Sequence, residues 1–485
     1  DILDVSLRLS HIANTLDSSA PLGRQSHDWL PNGRILAKAR RRVSQLFRGF
    51  NPRNIIPSHG PGAVSTKEKL WNKWKWSTIS PRIANSYPID EYFYTSLSHV
   101  ADDLKGIQSL KINESSARVV LVPKDSRGPR LISCEPLDFQ WIQQGLSRAI
   151  VKRVESHPLT RWNINFTNQQ PNQFGALLGS RYGGYATLDL KEASDRISVG
   201  LVHLLFGGSC LLDTLLNCRS LSTELPGGEI RTLNKYAPMG SALCFPVLAI
   251  CVWAILTAGA PDAHTRERVL VYGDDVIVPT AYAENAIELL EQFGLLVNRS
   301  KSCIKGFFRE SCGVDAFRGK HITPVRIRTP WSSYPCPHVY ASWIAYATSM
   351  WDKRYFEVYW YIVDNLVKVY REIPDRSILR DGLSLPEVPD HARPKTRRVN
   401  KSLQKLEYKV WGIRSIKYTR EIDGWMMLLR FFTEGQRPPS RELDSGHGHF
   451  RSCDTVQYIE DLSRPSFSVR SYTKRKNVKL RREWR

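Results

Sequence analysis

Nine cysteines are scattered along the 485 residues, yet no Cys-x-x-Cys pair occurs among them. The odd count speaks against a disulfide framework and the missing pairs against a zinc knuckle, and a reducing cytoplasm fits both. No internal repeat or low-complexity tract stands out, and no secretory signal is visible. The chain opens on Asp1 rather than Met, so residues upstream of it are expected. Acidic residues are scarce, 47 against 69 Lys and Arg, for a formal charge of +22. That balance favours a polyanionic partner, nucleic acid first and an anionic membrane surface second. Long uncharged runs are also scarce. One stretch, Ala242 to Ala260, approaches the roughly 20 apolar residues that span a bilayer. It is at the short end, carries Pro246 near its start, and lies between two acidic motifs that a bilayer would separate. It is expected to be a buried core helix with Pro246 in its first turn, and no membrane partner is expected.

Against these absences stands Tyr272-Gly273-Asp274-Asp275, between the apolar runs Val269-Leu270-Val271 and Val276-Ile277-Val278. Both runs are rich in β-branched residues and read as strands, the second closed by Pro279. Gly273 permits a tight turn, which leaves the Asp pair at a hairpin tip. Adjacent anions repel by roughly 1 kcal/mol even in water, and a divalent metal relieves that repulsion. A solvated Asp-Asp turn reads the same way. A second set strengthens the metal reading. Tyr185 to Leu190 reads as a strand with Asp189 near its end, followed by Lys191 to Arg196 and by Ile197, Leu201, Leu204 and Leu205 at helical spacing. A strand-end Asp opposite a hairpin-tip pair suits two-metal phosphoryl transfer, with ions roughly 3.5–4 Å apart. Asp189 alone is compatible with a helix cap, although Ser194 or Asp195 suits that role better.

Upstream, Arg118 to Ser133 reads as two strand-like runs around a turn carrying Lys124, Arg127 and Arg130. Three cations on a hairpin suit a triphosphate, since Arg grips phosphate oxygens in pairs and Lys adds a point charge; a solvated basic hairpin is the alternative. The first 120 residues are basic and irregular, with Arg40-Arg41-Arg42 and the cluster Trp71-Asn72-Lys73-Trp74-Lys75-Trp76. Such a cluster can stack on bases, or be a helix edge whose lysines cover apolar surface. From Tyr340 to Tyr370 the chain turns helical and aromatic, and a Pro- and charge-rich connection runs from Pro386 to Pro394. Lys474 to Arg485 reads as a basic tail with little structure of its own.

The order of these motifs resembles that of viral RNA-directed RNA polymerases. Ala186 to Leu190 with Ala193-Ser194-Asp195-Arg196-Ile197-Ser198 resembles the first palm motif of RNA bacteriophage (levivirus) replicases, the catalytic beta subunits. Gln170-Pro171-Asn172 with Gly179-Ser180 is similar to that family, as are His59 to Ala63, Phe308 to Gly313 and Thr323 to Arg328. The resemblance covers roughly residues 55–330. It implies an α+β right hand: an N-terminal region and fingers over 1–184, a palm of antiparallel sheet plus helices over 185–305 with 206–237 as a fingers insertion, and a post-palm segment, helical thumb and basic tail over 306–485.

The same resemblance implies that Asp189 and Asp274, with Asp275 beside them, hold two Mg²⁺ ions, for which Mn²⁺ can substitute. Asp195 matches the position that reads the ribose 2′-hydroxyl, and Lys124 and Arg130 match positions that contact the triphosphate. Lys301 falls where such polymerases place a general acid near the pyrophosphate, or is an ordinary strand-end Lys. The segment Pro238 to Pro246 departs from the pattern, because it lacks the Asn that many relatives carry. Ser241 then becomes a candidate for sensing the ribose, and the partner of Asp195 stays open. The implied partners are RNA template and product, nucleoside triphosphates, elongation factors Tu and Ts and a ribosomal protein, in the host bacterial cytoplasm. A polymerase of a related fungal or plant RNA virus, a reverse transcriptase and a non-enzymatic RNA-binding protein remain alternatives. Lys191 and Glu192 form no aromatic gate of the kind a reverse transcriptase would place after Asp189.

Overall fold

The computed structural model describes residues 33–68, 72–94, 96–125, 128–327, 329–379, 383–415 and 478–485. The first described helix, α1 (Gly33–Leu46), buries Leu36, Ala39, Val43 and Leu46. That spacing of three and four residues makes one apolar stripe. Arg40, from the predicted basic cluster, donates through Nε to the Gly207 carbonyl at 2.6 Å. The described residues of the Trp-Lys cluster, 72–76, lie in a turn rather than on the edge of an α-helix. Trp76 is buried, and Lys73 is buried with its ammonium held by the Gly60 carbonyl at 2.8 Å, the Gly62 carbonyl at 2.6 Å and Gln140 Oε1 at 2.8 Å. Only Trp74 among the described tryptophans of that cluster is exposed, and Trp71 lies outside the described residues.

The basic segment forms the expected hairpin of β1 (Ala117–Asp125) and β2 (Gly128–Cys134), and residues 126–127 at its tip lie outside the described residues. Pro123 pairs with Pro129, and the register shifts just beyond them; two residues without an N–H cannot continue the ladder. The chain continues through α2 (Leu137–Ser156), α3 (Gln170–Tyr182), β3 (Tyr185–Lys191) and α4 (Val199–Phe206). Ser198 caps α4, accepting from the Leu201 N–H at 3.0 Å. The strands β4 (Ser222–Glu224) and β5 (Ile230–Thr232) then join the basic hairpin. β4 runs parallel to β1, giving a sheet of order β2-β1-β4-β5.

The uncharged stretch is α5 (Cys244–Gly259), buried at every residue from Pro246 to Ala258. Pro246 sits in the first turn as expected. Among the described residues no helix is long and apolar enough to cross a membrane. Next come β6 (Leu270–Tyr272), β7 (Asp275–Pro279), α6 (Ala283–Gln292) and β8 (Leu296–Val297). They complete an antiparallel sheet of order β8-β3-β7-β6. Alternation divides its faces. Ala186, Leu188, Leu190, Val276 and Val278 enter one core with α5 and α6. Ile277, out of phase with them, meets α3, where a Cβ on Gly175 would stand 3.0 Å from its Cδ1.

A meander of β9 (Phe308–Ser311), β10 (Val314–Phe317) and β11 (Lys320–His321) also packs on α3. Its fastening is Arg309, 1% exposed. The guanidinium donates to the carbonyls of Tyr185 at 2.6 Å, Phe308 at 2.7 Å, Gly306 at 3.0 Å, Ile304 at 3.1 Å and Lys305 at 3.3 Å.

This first unit ends at Thr323, and a second begins at Pro324. The second contains the predicted aromatic helices, α7 (Pro337–Asp352) and α8 (Phe356–Tyr370), and a sheet of order β12-β13-β14. Its strands are β12 (Arg397–Asn400), β13 (Lys405–Ser415) and β14 (Val478–Trp484). β14 corrects the expectation of an unstructured tail. Residues 478–484 pair antiparallel with 409–415, and Val478 is buried beside Ile413. Residues 474–477 lie outside the described residues. The chain is α+β, as expected.

Candidate active site

The register of the central sheet brings the two acidic motifs together. Asp189 of β3 pairs directly with Asp275 of β7, two positions beyond the Thr187–Ile277 pair. Directly opposed residues of an antiparallel pair share a face, so both carboxylates leave the same side of the sheet. Asp274 lies between β6 and β7, in the turn that Gly273 opens with φ +63°. The chain needs glycine there twice over. The backbone is left-handed, and an added Cβ would fall 2.0 Å from Cε2 of Phe245.

Burial raises the Asp274 pKa, and the neighbouring Asp189 raises it further, while Arg130 and Lys301 pull it back. Burial and then the Asp274 charge push Asp275 up to about 6. Asp275 turns one oxygen to the Cys312 backbone N–H at 3.2 Å. Asp189 is held by the loop after β8. Its Oδ2 accepts from Asn298 Nδ2 at 3.0 Å and lies 3.7 Å from Lys301 Nζ. Its backbone N–H donates to Ser302 Oγ at 3.1 Å, and its carbonyl accepts from the Asn298 N–H at 2.8 Å.

Around this centre, Arg130 is exposed on β2 and its charge reaches Asp274. Lys124 belongs to β1, but its side chain and Arg127 lie outside the described residues. Asp195 follows β3 in a short helical turn and pairs with Lys235 Nζ at 2.5 Å. Ser241 is buried, and its hydroxyl donates to Gln143 Oε1 at 3.1 Å. Its turn is fastened to the basic hairpin, because the Ser133 N–H donates to the Met239 carbonyl at 2.8 Å. Sequence reasoning missed Asn298, Ser302, Cys312, Gln143 and Lys235. The Asn298-Arg299-Ser300 run beside Lys301 carried a turn signal that could have exposed the first.

The donor set suits a hard divalent cation. Three carboxylates are gathered where the two central strands of the sheet and the adjoining hairpin meet, and burial and mutual repulsion penalise the charge of two of them, a penalty that a dication would relieve. Among the described residues no three acidic, His or Cys side chains already converge on one point.

A family model described as "RNA replicase, beta-chain" matches residues 26–415. The chain belongs to the RNA replicase beta-chain family. Among similar replicase chains, the RNA-directed RNA polymerase subunit beta of Enterobacteria phage SP is 31% identical over 305 residues, 61% of this chain and 51% of that one. The subunit beta of Qbeta virus (strain MX1) is 33% identical over 358 residues, 71% of this chain and 57% of that one. The RNA-directed RNA polymerase beta chain of Escherichia phage MS2 is 32% identical over 212 residues, 44% and 38% of the two chains. The chain thus spans about half the length of the curated replicase subunits it matches first. Among solved structures, the RNA-dependent RNA polymerase of a human picorbirnavirus aligns with a TM-score of 0.34 at 12% identity, covering 52% of this chain and 55% of that one.

Proposed function

We propose that this replicase chain is a template-dependent RNA-directed RNA polymerase that copies a positive-strand RNA phage genome. The observation that carries the proposal is the Asp189–Asp275 cross-strand pair with Asp274 at the adjoining hairpin tip, in a chain of the replicase family. In the reaction, the 3′-hydroxyl of the growing RNA attacks the α-phosphate of a template-paired nucleoside triphosphate, and pyrophosphate leaves. Asp189 and Asp274, with Asp275 beside them, would hold two Mg²⁺ ions, or Mn²⁺ in their place. When bound, such ions supply activation of the attacking hydroxyl and stabilisation of the leaving oxygen.

The chain's own residues supply the rest. Arg130, with Lys124 and Arg127 on the same hairpin, neutralises the triphosphate, a role supported by the reach of the Arg130 charge to Asp274. Lys301, 3.7 Å from Asp189, gives a proton to the departing pyrophosphate. Asn298 and Ser302 hold the Asp189 strand end while charge develops beside it. Asp195 accepts a hydrogen bond from the ribose 2′-hydroxyl. With its hydroxyl committed to Gln143, Ser241 acts on the ribose by shaping the 239–241 turn. Base pairing reads the template, so the protein grips backbone and shape.

In this reading residues 1–184 belong to the N-terminal region and fingers, 185–305 to the palm and 306–485 to the post-palm segment and thumb. Assignment of 206–237 to the fingers is supported by β4 and β5 joining the hairpin sheet. The partners are RNA template and product, nucleoside triphosphates, elongation factors Tu and Ts and a ribosomal protein of the host, in the bacterial cytoplasm. The test is Asp274→Asn, assayed for primer extension and RNA binding with magnesium as the only metal. Synthesis should disappear while RNA binding stays nearly intact. Wild-type turnover in the variant would overturn the assignment.

A further inference from the structure

Asp195 forms one side-chain ion pair among the described residues. Lys235 Nζ lies 2.5 Å from its Oδ1, and the pair keeps 29% of the Lys and 48% of the Asp side chain exposed. A pair this exposed contributes little to stability. Its placement, in contrast, is built with care. The Lys235 backbone bridges Ser198 across the short turn that carries Asp195. On either side of it the Val199 N–H donates to the Asn234 carbonyl at 3.1 Å and the Tyr236 N–H donates to the Ile197 carbonyl at 2.7 Å. Beneath it Arg219, 6% exposed, donates to the carbonyls of Leu233 at 2.6 Å, Tyr236 at 2.9 Å and Lys235 at 3.1 Å. A buried guanidinium therefore fixes the base of Lys235, and Lys235 fixes one oxygen of Asp195. The other oxygen has no partner among the described residues, the side chain is about half exposed, and a carboxylate accepts hydrogen bonds only. The turn that carries Asp195 packs on α5, whose Phe245 abuts Gly273 of the hairpin bearing Asp274.

We infer that Lys235 is the positioning residue for sugar selection: it pins one oxygen of Asp195, so that the other meets the ribose 2′-hydroxyl. This rests on the polymerase reading of Asp195. A site built around a substrate hydroxyl rejects the analogue without it, because its acceptor is left unpaired. Rejection needs a fixed acceptor. A freely rotating carboxylate would find water when deoxyribose is bound, and the penalty would vanish.

The experiment is single-nucleotide extension of an RNA primer–template by the full chain, with CTP and dCTP compared by kcat/KM. Lys235→Met, Lys235→Gln and Lys235→Arg are measured beside wild type. Lys235→Met and Lys235→Gln should lower the CTP:dCTP ratio by about tenfold or more, through loss on CTP with dCTP held within about twofold. Lys235→Arg, which keeps a cation that can pair with Asp195, should stay within about threefold of the wild-type ratio. In the Asp195→Ala background Lys235→Met should change the ratio no further. Equal losses for the two sugars would make Lys235 a structural or phosphate contact and overturn the inference, as would a wild-type ratio in Lys235→Met. If Lys235→Met does not fold, the ratio in Lys235→Gln decides on the same terms. A wild-type chain that extends RNA with neither sugar, both alone and with bacterial host extract added, overturns the polymerase reading itself, and the inference with it.

Discussion

Gly273 and Phe245 are in such close contact that no side chain fits between them: a Cβ on Gly273 would lie 2.0 Å from the ring carbon Cε2. The ring stands at the start of α5 and is itself held edge-on by Tyr272, 5.4 Å away between centroids, and by Phe166 at 5.8 Å. The hairpin that carries Asp274 therefore rests on an aromatic support belonging to another part of the chain.

Gly273→Ala should accordingly lift the hairpin tip off that support. Displacement by about 1 Å is expected to lower synthesis by roughly 100-fold, with RNA affinity unchanged. Combining it with Phe245→Ala should return part of the lost rate, because the clash is removed while the left-handed backbone strain remains. Single-turnover extension by the two single variants and the double variant checks this. A double variant worse than the product of the two singles would show that Phe245 supports something other than this turn.

The carboxylate centre should make stability depend on pH and on divalent metal in a definite sense. Asp275, with a pKa of about 6 in the fold against an ordinary value near 3.8, binds a proton in the native state where the unfolded chain has lost it. Its contribution is therefore fully present below pH 4 and is lost as pH rises through about 6. The metal-free protein should melt higher at pH 5 than at pH 7.5, relative to Asp275→Asn measured at the same two values. Magnesium should raise the melting temperature more at pH 7.5 than at pH 5, where protons compete for the same oxygens. A wild-type-minus-variant difference that is flat from pH 4 to 7 would refute the coupling.

Arg309→Met should be among the most damaging single changes in the first unit. It removes the donors for five carbonyls, those of Tyr185, Ile304, Lys305, Gly306 and Phe308. Leaving these part-buried acceptors without their donor is expected to cost about 1–3 kcal/mol. Urea unfolding measures it, and a loss below about 1 kcal/mol would mean that water replaces the guanidinium.

Ending the chain after residue 477 should destabilise the second unit rather than merely reduce its charge. β14 supplies one strand of a three-stranded sheet, buries Val478, and joins Arg482 to Glu372 and Glu483 to Arg414. Limited proteolysis should cut the shortened chain within residues 324–415 far faster than the full one, while the first unit resists. If the two chains are cut at the same rate there, the strand contributes only cations. The salt dependence of RNA binding, expected to be steep for a chain of +22, would then become shallower on truncation.

The core of the site was legible because strands announce themselves. Val269 to Val271 and Val276 to Val278 alternate around a glycine, and Asp189 ends a run of the same kind, so the carboxylates could be assigned to strand ends. Their register could not be read, because pairing Asp189 with Asp275 depends on a neighbour more than 80 positions away. Ala242 to Ala260 gave its helix through length and absence of charge alone. Lys235 and Arg309 were illegible for a different reason. Both are cations in a chain full of cations, and only tertiary placement separates the buried one and the paired one from the solvated rest. The C-terminal strand misled for the same reason: apolar Val478 and Leu480 alternate with charges, but the surrounding Lys and Arg gave the segment the composition of a tail.

The basic hairpin and the 239–241 turn are stitched by the Ser133–Met239 hydrogen bond, and the same hairpin takes in β4 from the chain between Asp195 and that turn. A cation-bearing strand is thus one member of a stiff truss whose other members end beside the carboxylates. Arg130 stands three residues from Ser133, and the Ser133 bond to Met239 crosses to a segment more than a hundred positions further along the chain. A phosphate chain held at Arg130 would thus sit one hydrogen-bonded crossing away from the turn that leads into α5.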